Sequence, residues 1–373
     1  MFHVIFGLPW LVVVVRFIQP LPWIWSVKLP LAVLLLMASQ YHFFSRLSSG
    51  SVFSPEFPRY IVIGFNLVFG AILLLAVLQL LLDAVSLLVL VTKGSFPIVP
   101  VGVRYTMGIA AIALSVLGVS QAIVVPKVKD MEIAIPGLPA QFDGYRLVQL
   151  TDLHISRLFP AAWTEAVVSQ TNALNADLIV ITGDLIDGSV EHRRNDVAAL
   201  AGLQAPDGVY TIPGNHEYFF GVDTWMRHFE GQNMRILSNS HAVLARDGAE
   251  LVLAGVTDLS AAGTGSPAPD LSAALRGAPA NVPVVLLDHQ PMQAAKAAGS
   301  GVALQLSGHT HGGMIAGLDR VVGAANNGFV SGLYQVGGMQ LYVNNGTGLW
   351  PGFAMRLGTT AELTHITLRR AVP

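Results

Sequence analysis

Five short polar clusters carry the chemistry open to this chain: Thr151-Asp152-Leu153-His154, Gly183-Asp184, Gly214-Asn215-His216-Glu217, Asp288-His289-Gln290 and Gly308-His309-Thr310-His311-Gly312-Gly313. Their carboxylate, amide and imidazole groups are the donor types that hold Mn²⁺, Fe or Zn²⁺, and they suit those ions better than Ca²⁺. The chain has no cysteine, which excludes thiolate metal sites, disulfides and cysteine nucleophiles. In extended chain, alternate residues such as Asp152/His154 or His309/His311 point the same way. One ion could then take both members of a pair, or two adjacent ions could take one each. Five of the eleven histidines fall in these clusters. The others (His3, His42, His192, His228, His241 and His365) have no such setting and read as structural or solvated.

Each cluster ends a short apolar run, at 145–150, 178–182, 208–212, 283–287 and 303–306. Such runs, interleaved with helical stretches at 160–175, 191–203 and 222–230, describe an α/β domain. Strand ends followed by tight turns are where such sheets place ligand groups, and the glycines let the chain turn sharply there. Residues 235–256 and 341–369 read as strand-rich hairpins, and 260–282 as a surface loop with a short helix. Prolines and a glycine mark 126–144 as a linker containing one strand at 131–135.

The order Asp-x-His, Gly-Asp, Gly-Asn-His-Glu, His, Gly-His-x-His resembles the calcineurin-like metallophosphoesterases. GNHEYF, SGHTHGG and the late YVNNGTG with Arg356 after it are similar to a bacterial membrane-anchored phosphodiesterase branch of that family. The resemblance implies a four-layer αββα sandwich over 145–373 and a dinuclear centre of two divalent ions (Mn, Fe or Zn). It implies Asp152, His154, Asp184 and His311 on one ion, and Asp184, Asn215, His289 and His309 on the other, with Asp184 bridging. Two such ions about 3.5–4 Å apart activate a bridging water as hydroxide for in-line attack on a phosphodiester or pyrophosphate. His216 is then the group beside the leaving oxygen, and Glu217 is expected to orient its ring. Glu217 and Asp288 depart mildly from the family pattern, which has Asp and a small residue there. Asp288 reads as a supporting partner of His289 or as exposed. Arg157 is placed to meet a substrate phosphate or to sit solvated at a helix start.

The same resemblance implies a phosphoester substrate, with lipid-linked UDP-2,3-diacylglucosamine-type nucleotide sugars among the substrates of the branch. The apolar residues Tyr218, Phe219 and Phe220, and 314–318, could admit a lipid tail or could pack between sheets. The alternative to an enzyme is a membrane sensor or transport-associated protein whose metal domain only binds phosphate ligands. No ligand position and no catalytic histidine is missing, which favours the enzyme.

Composition separates this domain from what precedes it. The chain is 53% hydrophobic and 12% charged, against about 25% charged in ordinary soluble proteins. Eight charged residues lie in 1–125 and the other 36 in 126–373. The net charge of −2 offers no basic footprint, so no nucleic-acid partner is expected. A bilayer core needs roughly 20 apolar helical residues. Stretches at 2–19, 29–45, 60–92 and 105–125 therefore read as a bundle of about four transmembrane helices over 1–125, making this an integral membrane protein. Asp83 reads as an interfacial residue with no basic partner in the other spans, a proton or transport role being the alternative. Basic residues divide four against four between the two sides, so charge does not orient the chain. The resemblance implies a catalytic domain outside the cytoplasm, held by an arginine-rich loop before the last span; here that loop has only Lys93 and Arg104, which leaves a cytoplasmic domain open.

Overall fold

The computed structural model describes residues 2–371, so Met1, Val372 and Pro373, with the side chain of His3, lie outside the described residues. The chain divides into two units. One runs through Ala122 and takes in Pro351–Leu357, and the other runs from Ile123 to Trp350 and from Gly358 onward.

The first unit is helical: α1 (Phe2–Val13, continued by a wide turn at Val14–Ile18), α2 (Trp25–Ser39), α3 (Tyr41–Ser49), α4 (Arg59–Lys93) and α5 (Val101–Ala122). Of the four expected spans, among the described residues α4 and α5 are the single helices long and apolar enough to cross a bilayer. A third span exists only if α2 and α3, bent by 52° at their junction, count as one. The first stretch is apolar, and its helix runs from Phe2 to Ile18. At 1.5 Å per residue that is roughly 25 Å, short of a ~30 Å hydrocarbon core. Asp83 also differs from expectation, because its carboxylate takes the Arg16 guanidinium through both oxygens, with Arg16 Nε donating to Oδ2 at 2.8 Å. Arg16 and Asp83 are 67 residues apart in the chain, so no local pattern could reveal the pair.

Pro351–Leu357 belongs to this helical unit although the sequence reading gave it to the α/β domain. Asn66 holds it at both ends: its Nδ2 donates to the Pro351 carbonyl at 2.9 Å, and the Ala354 N–H donates to its Oδ1 at 2.7 Å. Gly70 and Gly118 make room for Met355, since a Cβ would come within 2.1 and 2.6 Å of it. Arg356 is fully buried there, and its N–H donates to the Gly118 carbonyl at 3.0 Å.

The second unit contains twelve strands: β1 (Val128–Ile135), β2 (Arg146–Leu150), β3 (Leu178–Thr182), β4 (Val209–Ile212), β5 (Met234–Ile236), β6 (Ser240–Arg246), β7 (Ala249–Gly255), β8 (Val284–Leu287), β9 (Leu304–Ser307), β10 (Gly332–Val336), β11 (Met339–Val343) and β12 (Leu363–Arg370). Its helices are α6 (Ala161–Asn172), α7 (Val190–Arg193), α8 (Asn215–Phe219), α9 (Val222–Glu230), α10 (Leu271–Ala274), α11 (Ala294–Gly299) and α12 (Asp319–Ala325). The strands form two six-stranded mixed sheets, ordered β1-β12-β2-β3-β4-β5 and β10-β11-β9-β8-β7-β6. Within them β2, β3, β4 and β5 run parallel, as do β7, β8, β9 and β11.

The period-two alternation of a strand decides which layer each side chain joins. Leu251 and Leu253 of β7, with Val285 and Leu287 of β8, face the inter-sheet core beside Leu147, Val180, Ile212 and Ile366. Their neighbours Val252, Ala254, Val284 and Leu286 face outward onto Leu271 of α10 and Ala294 and Ala297 of α11. Both faces of these strands are covered, so they read as continuous apolar runs. The 341–369 segment is not the expected hairpin: β11 and β12 belong to different sheets. One parallel group in each sheet brings the carboxyl ends of β2, β3 and β4, and of β8 and β9, out at an edge where their loops can meet.

Candidate metal centre

The five clusters follow β2, β3, β4, β8 and β9, and their backbones are not extended. Asp152, His154, Asp184, His309 and His311 all have positive φ, between 46° and 70°. That left-handed region costs an L-residue roughly 1–3 kcal/mol and persists only where the surroundings impose it, as functional sites do. The alternation expected for Asp152/His154 and His309/His311 is therefore replaced by a kinked backbone that folds each side chain back over its strand end. Two glycines permit this crowding. A Cβ at Gly214 would lie 2.3 Å from Asp184 Oδ1, and one at Gly308 would lie 2.2 Å from Asp152 Oδ2.

The side chains converge in two groups. In one, ligand atoms of Asp152, His154 and His311 all lie within 4.8 Å of each other; in the other, so do those of Asp184, His289 and His309. His309 and His311 thus go one to each group. Asp184 stands between the groups through one oxygen. Its Oδ1 accepts the His216 N–H at 2.8 Å, while its Oδ2 lies 3.3 Å from His289 Nε2 and 3.8 Å from His154 Nε2. Asn215 completes the second group, with its Oδ1 3.1 Å from His289 Nε2 and 2.9 Å from His309 Nδ1.

The hydrogen bonds behind these rings show that the donor set suits cations. His289 Nδ1 donates to the Thr182 carbonyl at 2.7 Å, and His154 Nδ1 donates to Asp187 Oδ2 at 3.0 Å. Neutral rings held this way present bare Nε2 lone pairs inward. The His289 lone pair then meets the Asn215 carbonyl oxygen, acceptor against acceptor, while His154 Nε2 lies 3.3 Å from His311 Nε2. Only an electropositive occupant, a proton or a metal ion, reconciles them. In the metal-free protein, burial would drive the proton off His289, but Asp184 facing it holds the ring well above its ordinary value. Burial likewise opposes ionisation of Asp184, yet His289, His216 and His154 hold it well below the usual carboxylate range.

His216 forms a third, overlapping group with His154 and Asp184, its Nε2 4.0 Å from Asp184 Oδ2. The sequence reading expected Glu217 to orient this ring, and the structure gives that task to Asp187. The buried Asp187 carboxylate accepts His216 Nδ1–H through Oδ1 and His154 Nδ1–H through Oδ2. Glu217 instead accepts three backbone N–H groups, from Gly214 at 2.7 Å, Asp184 at 3.0 Å and Leu185 at 2.8 Å. It clasps the β3 and β4 loops together, because α8 turns its carboxylate toward the backbone. Asp187 lacked a flag in the sequence beyond being an acid three residues after Asp184. Against burial, Asp184 and Asp187 raise His216 to about 9 in the metal-free protein.

The remaining expectations resolve as follows. Asp288 is buried, not exposed; burial and neighbouring Asp258 push it up to about 7, and Gln305 Nε2 lies 3.5 Å from its Oδ2. Arg157 is exposed after the first cluster. Arg356 is buried within the helical unit. Phe219 is 49% exposed and its ring centroid lies 5.2 Å from that of His216. Among the other histidines, His365 pairs with Asp130 at 2.8 Å and His241 bonds the Ala274 carbonyl at 2.7 Å, as structural residues do.

Comparison with known proteins agrees with this arrangement. Residues 145–313 match the calcineurin-like phosphoesterase family. A transmembrane protein with metallophosphoesterase domain from Danio rerio is 36% identical over 267 residues, covering 69% of this chain and 61% of that protein. Uncharacterised metallophosphoesterases of Campylobacter jejuni and Bacillus subtilis are 32% and 31% identical, covering 71% and 62% of this chain and 70% and 82% of theirs. The chain spans about six-tenths of the length of the two vertebrate relatives it matches.

Proposed function

The chain belongs to the calcineurin-like metallophosphoesterases, and on that premise we propose that it hydrolyses phosphodiester or pyrophosphate bonds at the centre built by Asp152, His154, Asp184, Asn215, His289, His309 and His311. The observation that carries the proposal is the pair of ligand groups flanking Asp184, whose Oδ2 lies 3.3 Å from His289 Nε2 and 3.8 Å from His154 Nε2, with His216 held beside them by Asp187. Two divalent ions bound there would supply Lewis acidity to the phosphoryl oxygens and an activated water. The protein's own groups do the rest. Asp187 accepts Nδ1–H from both imidazoles, so that His154 would offer a bare Nε2 to a bound ion and His216 would turn Nε2 toward the substrate. His216 is the proton donor, its Nε2–H going to the departing oxygen. Glu217 keeps the Asp184 and Asn215 loops in register. The test is hydrolysis of bis(p-nitrophenyl) phosphate by detergent-solubilised protein with Mn²⁺. Turnover is expected to require the metal and to vanish in Asp184→Ala; persistent turnover by that variant, free of contaminants, overturns the assignment.

We propose further that the enzyme is anchored in a membrane by its apolar helices and that its substrate is lipid-linked, of the UDP-2,3-diacylglucosamine type. The exposed Phe219 ring beside His216 supports an apolar substrate arm, and two helices long enough to span support the anchor. A panel of acylated and deacylated nucleotide sugars tests the first point, which fails if acyl chains do not improve kcat/KM. The catalytic domain is proposed to lie outside the cytoplasm; digestion by protease added to intact cells is expected, and protection would reverse the orientation.

A further inference from the structure

Beside the metal centre, within the α/β unit, lies an open cleft of about 940 Å³ that begins at Gly312, next to His311. Asn345, Thr359 and Thr360 wall one side, and Arg320 and Tyr334 are among the residues lining the rest. Its position relative to the His311 loop is set by close packing. A Cβ at Gly313 would come within 2.5 Å of Asp319 Cα, so the start of α12 rests directly on the loop. Thr359 Oγ1 donates to the Gly312 carbonyl at 3.2 Å, and Ile315 bridges to Gly358.

Two donors line this cleft, Arg320 and Tyr334. Arg320 is exposed and has no carboxylate within ion-pair distance among the described residues. Tyr334 Oη accepts the Val330 and Ser331 N–H groups, at 3.0 and 3.2 Å. With its lone pairs so used, its O–H proton is left to give to an acceptor in the cleft. The one carboxylate lining the cleft, Asp319, accepts the Gly317 N–H through Oδ1 at 2.7 Å. A guanidinium and a phenol on one cleft match an oxyanion, and the guanidinium fork suits a phosphate.

We propose that this cleft binds the second phosphate of a diphosphate diester while the metal centre works on the first, and that Arg320 is the residue selecting such substrates. The inference rests on the hydrolase reading and deepens it by naming the substrate class. In the reaction, water's oxygen forms a bond to one phosphorus as the bridging P–O bond breaks. Two phosphate monoesters leave, and the water's protons pass to the products or to solvent.

The test compares wild type, Arg320→Ala and Arg320→Lys in Mn²⁺, using bis(p-nitrophenyl) phosphate, a UDP-sugar and the same UDP-sugar carrying two acyl chains. Arg320→Ala is expected to lose at least tenfold in kcat/KM on both diphosphates, mainly through KM. It should stay within twofold of wild type on the simple diester, with Arg320→Lys recovering part of the loss. Acyl dependence that survives in Arg320→Ala would separate a lipid contribution from the phosphate one. A second readout is calorimetric binding of methylenediphosphonate and of inorganic phosphate to the metal-loaded protein. Arg320→Ala should weaken the first at least tenfold and leave the second unchanged. Equal binding of methylenediphosphonate by both proteins, or equal losses on all three substrates, overturns the inference. If wild type hydrolyses nothing yet shows the binding difference, the anion subsite stands and the hydrolase reading falls.

Discussion

Replacing Asp187 by Asn tests the architecture of the centre most directly, because it changes almost no volume. Asp187 is fully buried and has two jobs at once: Oδ2 accepts from His154 Nδ1 at 3.0 Å and Oδ1 accepts from His216 Nδ1. Asn offers one acceptor and one donor. One of the two Nδ1–H groups must then face an N–H, so that ring must shift its proton to Nε2 or turn away. For His154 this blocks the nitrogen aimed at the metal group; for His216 it removes the charge that keeps the ring protonated. Hydrogen bonds to a charged partner are each worth about 1.5–3 kcal/mol, so the two together put roughly 3–6 kcal/mol at stake. At about 1.36 kcal/mol per decade this becomes a ~10²–10⁴-fold loss of kcat/KM. The assay is bis(p-nitrophenyl) phosphate hydrolysis at saturating Mn²⁺, with metal content measured on the same samples and thermal unfolding as a control for folding. The double variant Asp187→Asn/His216→Ala should fall little below His216→Ala at equal metal loading, since residues acting as a unit are not additive. Activity of Asp187→Asn within threefold of wild type, in folded and metal-loaded protein, would refute the claim that this carboxylate sets both tautomers.

Two further predictions concern the metal-free protein and the backbone. Gly308→Ala would drive a Cβ to within 2.2 Å of both Asp152 Oδ2 and Thr151 Oγ1; we expect a stability loss of about 1–3 kcal/mol, as for other overpacked sites, and a metal content below wild type, read by denaturant unfolding and elemental analysis. His216 is raised to about 9, mainly by Asp184 and Asp187 acting against burial. A raised histidine contributes stability that is complete below its unfolded value near 6.5 and is lost as pH rises through the folded value. Metal-free protein should therefore weaken between about pH 6.5 and 9, with the His216 ring protons titrating near the top of that window by NMR; titration at or below 6.5 would contradict the Asp187 contact.

Much of the centre was legible because each ligand cluster ends an apolar run, and parallel strands deliver their carboxyl ends to one edge. The strands expected at 178–182 and 283–287 appear as β3 and β8 within a residue of those bounds. What could not be read were pairings across long separations. Asp83 finds Arg16, His216 finds Asp187, and Pro351–Leu357 joins the helical unit through Asn66. Composition overcounted the spans because hydropathy reports apolarity and not where a helix stops or bends.

By itself the sequence determined the donor types and their order, since residue chemistry needs no neighbours to be recognised. Tertiary structure alone decided which oxygen of Asp184 stands between the groups and which acid holds His216. It also decided that Glu217 serves the backbone. Each of those assignments depends on a direction in space, set by strand ends forced into left-handed turns and by glycines that let loops touch. Local sequence does not encode such directions, because the packing of distant segments imposes them.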